Sequence, residues 1–159
     1  MNSLFFQDVN QSFSINLEKE AYEQMLHYCA ISNTYETGGI LIGNYSTNQM
    51  TANILQTSPP PENSRHAKYN FWRGSRGLKG TLDTAWKMGQ YYLGEWHYHP
   101  NATADPSNTD IKQMIILSND KKLKCPEPIL IIIGGNSNNW KISATVFSNN
   151  GQTALKCIK

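Results

Sequence analysis

Two histidines separated by one residue restrict this chain more than anything else in it. His97 and His99 are followed by Pro100, six intervening residues, and then Ser107-Asn108-Thr109-Asp110. Residues two apart on a strand project from one face, with Cα atoms roughly 6–7 Å apart. Residues three apart on the first turn of a helix are neighbours. For the four side chains to converge, a strand end must meet a helix start, with Pro100 turning the chain out of the strand and residues 101–106 bringing it back. Two neutral imidazoles and one carboxylate suit Zn²⁺, with the fourth tetrahedral position left to water, which marks a catalytic site rather than a structural one. Each half alone has an ordinary explanation: histidines near a strand end can be polar surface, and Ser107-x-x-Asp110 also reads as a helix capping box that needs no metal. The combined pattern favours a metal. An eightfold barrel of the amidohydrolase kind, which also uses His-x-His, does not fit within 159 residues. The metallo-β-lactamase pattern fails because no Asp-His pair follows His99.

The length allows one domain, residues 1–159, with a real core. A net charge of +2 gives nucleic acid little support as a partner. The start, Met1 to Asp8, lacks the basic region of a signal peptide. The longest apolar run, around Ile129–Ile133, is too short for a bilayer, so no membrane association is expected. Cys29, Cys125 and Cys157 are an odd, scattered set and read as reduced thiols of a cytoplasmic protein.

Asn16 is placed to cap a helix from Leu17 to about Ser32, with Leu17, Ala21, Met25 and Cys29 as its buried stripe. Gly38-Gly39 breaks the chain before a strand from Ile40 to Tyr45, and a turn at Ser46–Gln49 leads to a returning strand, Thr51–Thr57. Residues 58–77 read as a long loop, of the kind that is functional or disordered. A second helix is expected over Leu78–Tyr91, a strand over Tyr92–Tyr98, and a third helix opening at Pro106-Ser107 with Ile111, Met114, Ile115 and Leu117 on its apolar face. Pro128–Ile133 reads as a buried central strand ended by Gly134-Gly135-Asn136. Trp140–Phe147 and Thr153–Ile158 read as closing strands joined by a turn at Asn149-Asn150-Gly151.

The run His97-Tyr98-His99-Pro100, six residues, Ser107-x-x-Asp110 resembles the JAMM signature of the JAB/MPN metalloprotease family. Glu36, ahead of Gly38-Gly39-Ile40-Leu41-Ile42-Gly43, stands where that family has its upstream glutamate. Pro59-Pro60-Pro61 with Ser64-Arg65, Phe71 with Arg73-Gly74, Tyr92-Leu93-Gly94-Glu95-Trp96 and Cys125-Pro126-Glu127-Pro128 look most like the small bacterial JAB peptidases of anti-phage CBASS operons. The resemblance implies an α+β fold, the MPN (JAB1/MPN, cytidine-deaminase-like) single domain, with a mixed, curved sheet flanked by helices. It implies His97, His99 and Asp110 as Zn²⁺ ligands, Glu36 as general base, and Ser107 as donor to the oxyanion. It further implies an isopeptidase that cleaves after the extended C-terminal tail of a ubiquitin-like protein, here a cGAS-like nucleotidyltransferase attached to targets by an E1–E2-like enzyme. Processing of a ubiquitin-like or sulfur-carrier protein, and a non-catalytic binding scaffold, are the competing roles. Where many eukaryotic members have serine between the histidines, this chain has Tyr98, expected on the opposite strand face.

The 58–77 segment carries Arg65, His66, Lys68, Arg73 and Arg76 among Tyr69, Phe71 and Trp72. Base stacking with phosphate contacts is one use for such a set, and a solvated basic loop is another. The family likeness implies a third, standing level with the solvated loop, in which Arg65, Phe71, Arg73 and Trp96 hold the substrate tail. Glu95 shares the strand parity of the histidines and is expected to be solvated or salt-bridged, Asp105 to be a turn residue, and His27 and His66 to be surface residues.

Overall fold

The computed structural model describes residues 2–149 and 151–158. Its main sheet is a closed barrel. In chain order the strands are β1 (Leu4–Gln7), β2 (Ser14–Leu17), β3 (Thr37–Tyr45), β4 (Thr51–Thr57), β7 (Tyr91–Pro100), β8 (Ile129–Asn136), β9 (Asn139–Ser148) and β10 (Gly151–Cys157). Around the barrel they run β1-β10-β9-β8-β7-β3-β4-β2. A short separate hairpin pairs β5 (Arg65–His66) with β6 (Phe71–Trp72). The helices are α1 (Lys19–Ser32), α2 (Leu78–Lys87) and α3 (Asn108–Asn119).

The expected mixed, curved sheet is mixed, with parallel and antiparallel pairs, but it closes into a barrel. The closing pieces are the two N-terminal strands: β1 pairs antiparallel with β10, and β2 pairs antiparallel with β1 and parallel with β4. Asn16 and Leu17 belong to β2, so the first helix starts two residues later than expected, with Glu18 at its N-cap. The Asn16 amide instead donates to the Glu18 side chain at 2.8 Å. The predicted stripe of Leu17, Ala21, Met25 and Cys29 is fully buried. It packs on Leu41, Ile54, Leu93, Trp96, Tyr98, Ile131 and Ile133 in the largest core cluster.

Two smaller clusters cover the other face of the sheet. Ala85, Leu78 and Leu82 of α2 meet Ile40, Ile42 and Tyr92. Met114, Ile111 and Leu117 of α3 meet Leu130, Ile132 and Phe147. Ile115, expected on that apolar face, is about half exposed, as is Trp86 on α2 to a greater degree. Gly38-Gly39 does not break the chain but lies inside β3. A Cβ at Gly38 would come within 2.2 Å of the Trp96 carbonyl oxygen and 2.9 Å of the His97 ring, so only glycine lets the two strands approach there. Likewise Gly134-Gly135-Asn136 continues β8 rather than ending it.

Strand β7 runs antiparallel to β3 and parallel to β8. A parallel pair needs a crossover, and α3 supplies it, so the helix start lies beside the end of β7. Ladder pairing carries β7 through Pro100, which lies opposite Gly135. The turn falls one residue later than expected, at Asn101, where φ is 55°. A register shift in the β3–β7 pair leaves Leu93 as an extra residue: Leu41 faces Gly94 while Ile42 faces Tyr92. Such a bulge resets side-chain parity. It places Tyr92 on the same outer face as Glu95, three positions on. Gly94, with φ 154°, sits at the bulge, where a Cβ would fall 1.9 Å from the Ile129 carbonyl oxygen. All three cysteines are free, and among the described residues no helix is long and apolar enough to cross a membrane.

Candidate metal centre

His97 and His99 leave the outer face of β7 and meet Asp110 from the first turn of α3. The Nδ1–H of His97 donates to Asp110 Oδ1 at 2.8 Å, and Nε2 of His99 lies 3.2 Å from Oδ2. All three side chains are buried. Tyr98, between the histidines, points inward, and its hydroxyl donates to the carbonyls of Asn33 and Gly135. Strand alternation thus works as expected.

Asp110 has a second task. The Ser107 N–H donates to Asp110 Oδ2 at 2.8 Å, and the Asp110 N–H donates to Ser107 Oγ at 3.0 Å, a complete capping box at the start of α3. Ser107 itself is exposed. Burial pushes the Asp110 carboxyl up, but hydrogen bonds from His97 and His99 and from the Ser107 backbone outweigh it and hold the group well below the usual carboxylate range. For His99, burial favours the neutral ring. The hydrogen bond to Asp110, the charges of Asp110 and Glu36 and a hydrogen bond with the Thr103 backbone overcome that and raise its pKa.

Glu36 is half-buried and lies at the last position before β3. Burial raises its pKa, the charge of Asp110 adds to this, and His99 and His97 pull the other way. Those four groups are therefore one electrostatic cluster. The donor set, two imidazoles and a carboxylate, has the chemistry of a zinc site. Here the three side chains are drawn together by hydrogen bonds, and among the described residues no group of three or more His, Cys, Asp or Glu is placed to hold a metal ion as it stands. A cation bound by them would take the place of the ring protons that now face Asp110.

The residues expected to hold a substrate tail are placed differently from one another. Trp96 is fully buried on the inner face of β7, its Nε1–H donating to the Ser58 carbonyl at 3.1 Å, so it is a core residue. Arg73 is turned inward: its Nε–H donates to Glu95, and its Nη1 donates to the Gly74 carbonyl at 2.8 Å. Glu95, expected to be solvated or salt-bridged, is buried and salt-bridged, with the Tyr92 hydroxyl on its other oxygen. Phe71 is buried and presents its edge to the His97 ring, 5.6 Å between centroids. Arg65 is exposed and lies over the Trp72 ring, 5.6 Å from its centroid. A cleft lined by Trp72, Arg73, Glu95, Gln113, Ile116 and Leu117 separates the hairpin from α3.

His66 is exposed, as expected of a surface residue, and also contacts the site. Its ring lies 5.2 Å from Phe71, and its Nδ1 is 3.0 Å from the Glu36 carbonyl oxygen. The signal that would have found it is the pairing of Arg65-His66 with Phe71-Trp72 across a four-residue turn.

Residues 18–145 match the family described as prokaryotic homologs of the JAB domain. A protein of Enterobacter hormaechei subsp. hoffmannii, named CD-NTase/cGAS isopeptidase, is 38% identical over 84% of this chain and 75% of its own. A Pseudomonas aeruginosa protein of the same name is 29% identical over 70% of each chain. A probable metalloprotease, y4qB, of Sinorhizobium fredii is 25% identical over 78% of this chain and 77% of its own. Among solved structures, that of protein DSY2949 from Desulfitobacterium hafniense superposes with a TM-score of 0.68 at 21% identity, covering 88% of both chains.

Proposed function

The chain belongs to the prokaryotic JAB family, and from that premise we propose that it is a zinc-dependent isopeptidase of the JAMM type. The observation that carries the reading is the meeting of His97, His99 and Asp110 at the junction of β7 and α3, with the charge of Glu36 bearing on them. These three side chains would hold Zn²⁺, which supplies a Lewis acid and lowers the pKa of water to about 7 when bound. Glu36 takes the proton from the attacking water and returns it to the departing amine. Its burial raises its pKa and so makes it a better acceptor near neutral pH. The Ser107 oxygen accepts the Asp110 N–H, which leaves its hydroxyl hydrogen for the oxygen of the scissile carbonyl.

The substrate is a protein with an extended C-terminal tail. The tail lies in the cleft between the hairpin and α3, whose walls include the exposed side chains of Trp72 and Ile116. The names of two relatives support a cGAS-like nucleotidyltransferase as the tail's owner, conjugated to other proteins in the bacterial cytoplasm by an E1–E2-like enzyme and released by this one. The test is a fusion of such a C-terminus to a reporter, with ubiquitin-like and sulfur-carrier fusions alongside. The wild-type protein with zinc cleaves the first at the end of the tail. Glu36→Gln binds one zinc per chain and turns over about 10²–10⁴ times more slowly. Turnover by Glu36→Gln at the wild-type rate refutes the assigned base. A wild-type protein that takes up no zinc and cleaves none of the fusions points to a binding scaffold instead.

A further inference from the structure

Glu36 lies just outside the β3–β7 ladder, whose pairing begins at Thr37 opposite Tyr98. Its backbone hydrogen bonds come from the 58–77 segment. The Glu36 N–H donates to the Ala67 carbonyl at 2.8 Å. Its carbonyl oxygen can only accept, so His66 carries a proton on Nδ1 and donates it there. Both backbone polar groups of Glu36 are thus held by the β5–β6 hairpin. The hairpin is fixed in turn at its far end. Directly after Trp72, Arg73 reaches inward to Glu95, and the second oxygen of Glu95 accepts from Tyr92. That arrangement needs the bulge at Leu93, which brings Tyr92 and Glu95 to one face. Between the two ends, Phe71 packs on His97 and on His66.

We propose that Arg73 and His66 are positioning residues: the Tyr92–Glu95–Arg73 network anchors the hairpin to the strand that carries the histidines, and the hairpin holds the Glu36 backbone at its working distance from them. The proposal rests on Glu36 being the base of the isopeptidase. Arg73 also lines the cleft given to the tail, but its Nε–H and Nη1 are already held by Glu95 and the Gly74 carbonyl, so its role is exerted through Glu36. Reacting groups must be held within a fraction of an ångström, and a displacement of about 1 Å costs on the order of 10²-fold in rate.

The experiment follows amide hydrogen exchange by NMR and steady-state kinetics in wild type, Arg73→Gln, His66→Ala and the double variant, all loaded with zinc. In Arg73→Gln the Glu36 amide exchanges about tenfold faster, while the Ile40 amide, held by Ser58 Oγ at 2.9 Å, is unchanged. The kcat falls about tenfold, with KM and zinc content as in wild type. His66→Ala, an exposed position that does not threaten folding, shifts Glu36 exchange in the same direction. The double variant is no worse than Arg73→Gln, because both changes release one segment. Unchanged exchange at Glu36 in both single variants overturns the proposal whatever the activity. So does a raised KM with unchanged kcat in Arg73→Gln, which would make Arg73 a substrate contact. A wild-type protein that cleaves no fusion counts against the isopeptidase reading alone, and the exchange rates still decide this one.

Discussion

Ser107 makes two separable contributions, and a pair of substitutions measures each. Its Oγ accepts the Asp110 N–H at 3.0 Å, one of the unpaired donors at the start of α3. Loss of such a cap by Ser→Ala costs about 1 kcal/mol, whereas Ser→Gly costs only a few tenths. For a chain of this size 1 kcal/mol lowers Tm by about 2–4 °C. The reciprocal bond, from Ser107 N–H to Asp110 at 2.8 Å, uses the backbone and survives both changes. Asp110 therefore keeps its place beside the histidines. If the hydroxyl also donates to the oxyanion, either substitution lowers kcat by about 10²–10³. The expected result is a dissociation of the two readouts. Ser107→Ala loses 2–4 °C by calorimetry, Ser107→Gly loses about 1 °C or less, and both lose the same large factor in single-turnover cleavage while binding zinc normally. A Ser107→Gly enzyme within about threefold of wild-type kcat would show that the residue only caps the helix, because no oxyanion donor is that dispensable.

Trp96→Phe should leave kcat and KM for the tail fusion unchanged while lowering stability by about 1–3 kcal/mol in urea, because the Ser58 carbonyl loses its buried donor; a raised KM would place Trp96 against substrate. For the zinc-free protein, the raised pKa of His99 means its protonated form stabilises the fold. That contribution is full below about pH 6.5 and is lost as pH rises through the folded value. The depressed pKa of Asp110 contributes above about pH 3.9 and is lost as pH falls through its folded value. The zinc-free Tm, taken as wild type minus His99→Gln, should therefore be larger at pH 6 than at pH 8. Zinc must displace protons from its ligands, so the Tm increase on adding it should grow over the same range. A site contribution that rises with pH without zinc would contradict the charge arrangement.

Local patterns were legible where local forces decide the outcome. The four-residue spacing of Ala21, Met25 and Cys29, the apolar run at Ile129–Ile133 and the turn at Ser46–Gln49 take the predicted roles, while Leu17 is buried as expected but from β2. The barrel's closure was not legible, because β1 pairs with β10 at the opposite end of the chain and no nearby residue marks that partner. The start of α1 was misplaced for a related reason: Asn16 has the chemistry of a cap, but pairing with Phe5 and Asn53 draws it into β2. The inward turn of Trp96 was within reach. Once His97 and His99 are assigned to the outer face, alternation sends Trp96 and Tyr98 to the core. Arg73 is harder, since nothing in Phe71-Trp72-Arg73-Gly74 distinguishes a guanidinium that will meet a buried carboxylate from one left in solvent.

In the sequence, the capping box and the metal ligand compete as explanations of Ser107-x-x-Asp110. In the folded chain one carboxylate serves the cap and also meets both imidazoles. Asp110 Oδ2 accepts the Ser107 N–H and lies 3.2 Å from His99 Nε2, while Oδ1 accepts from His97. The carboxylate can satisfy the helix start only when α3 begins at Ser107, and that start fixes where the same carboxylate reaches the strand. The cap therefore sets the register between α3 and β7 as well as stabilising the helix. A shift of one residue in the helix start would turn the side chain about 100° around the axis. It would break the cap and carry the carboxylate away from both imidazoles in the same step. The helix boundary and the meeting of Asp110 with the two imidazoles therefore depend on the same side chain.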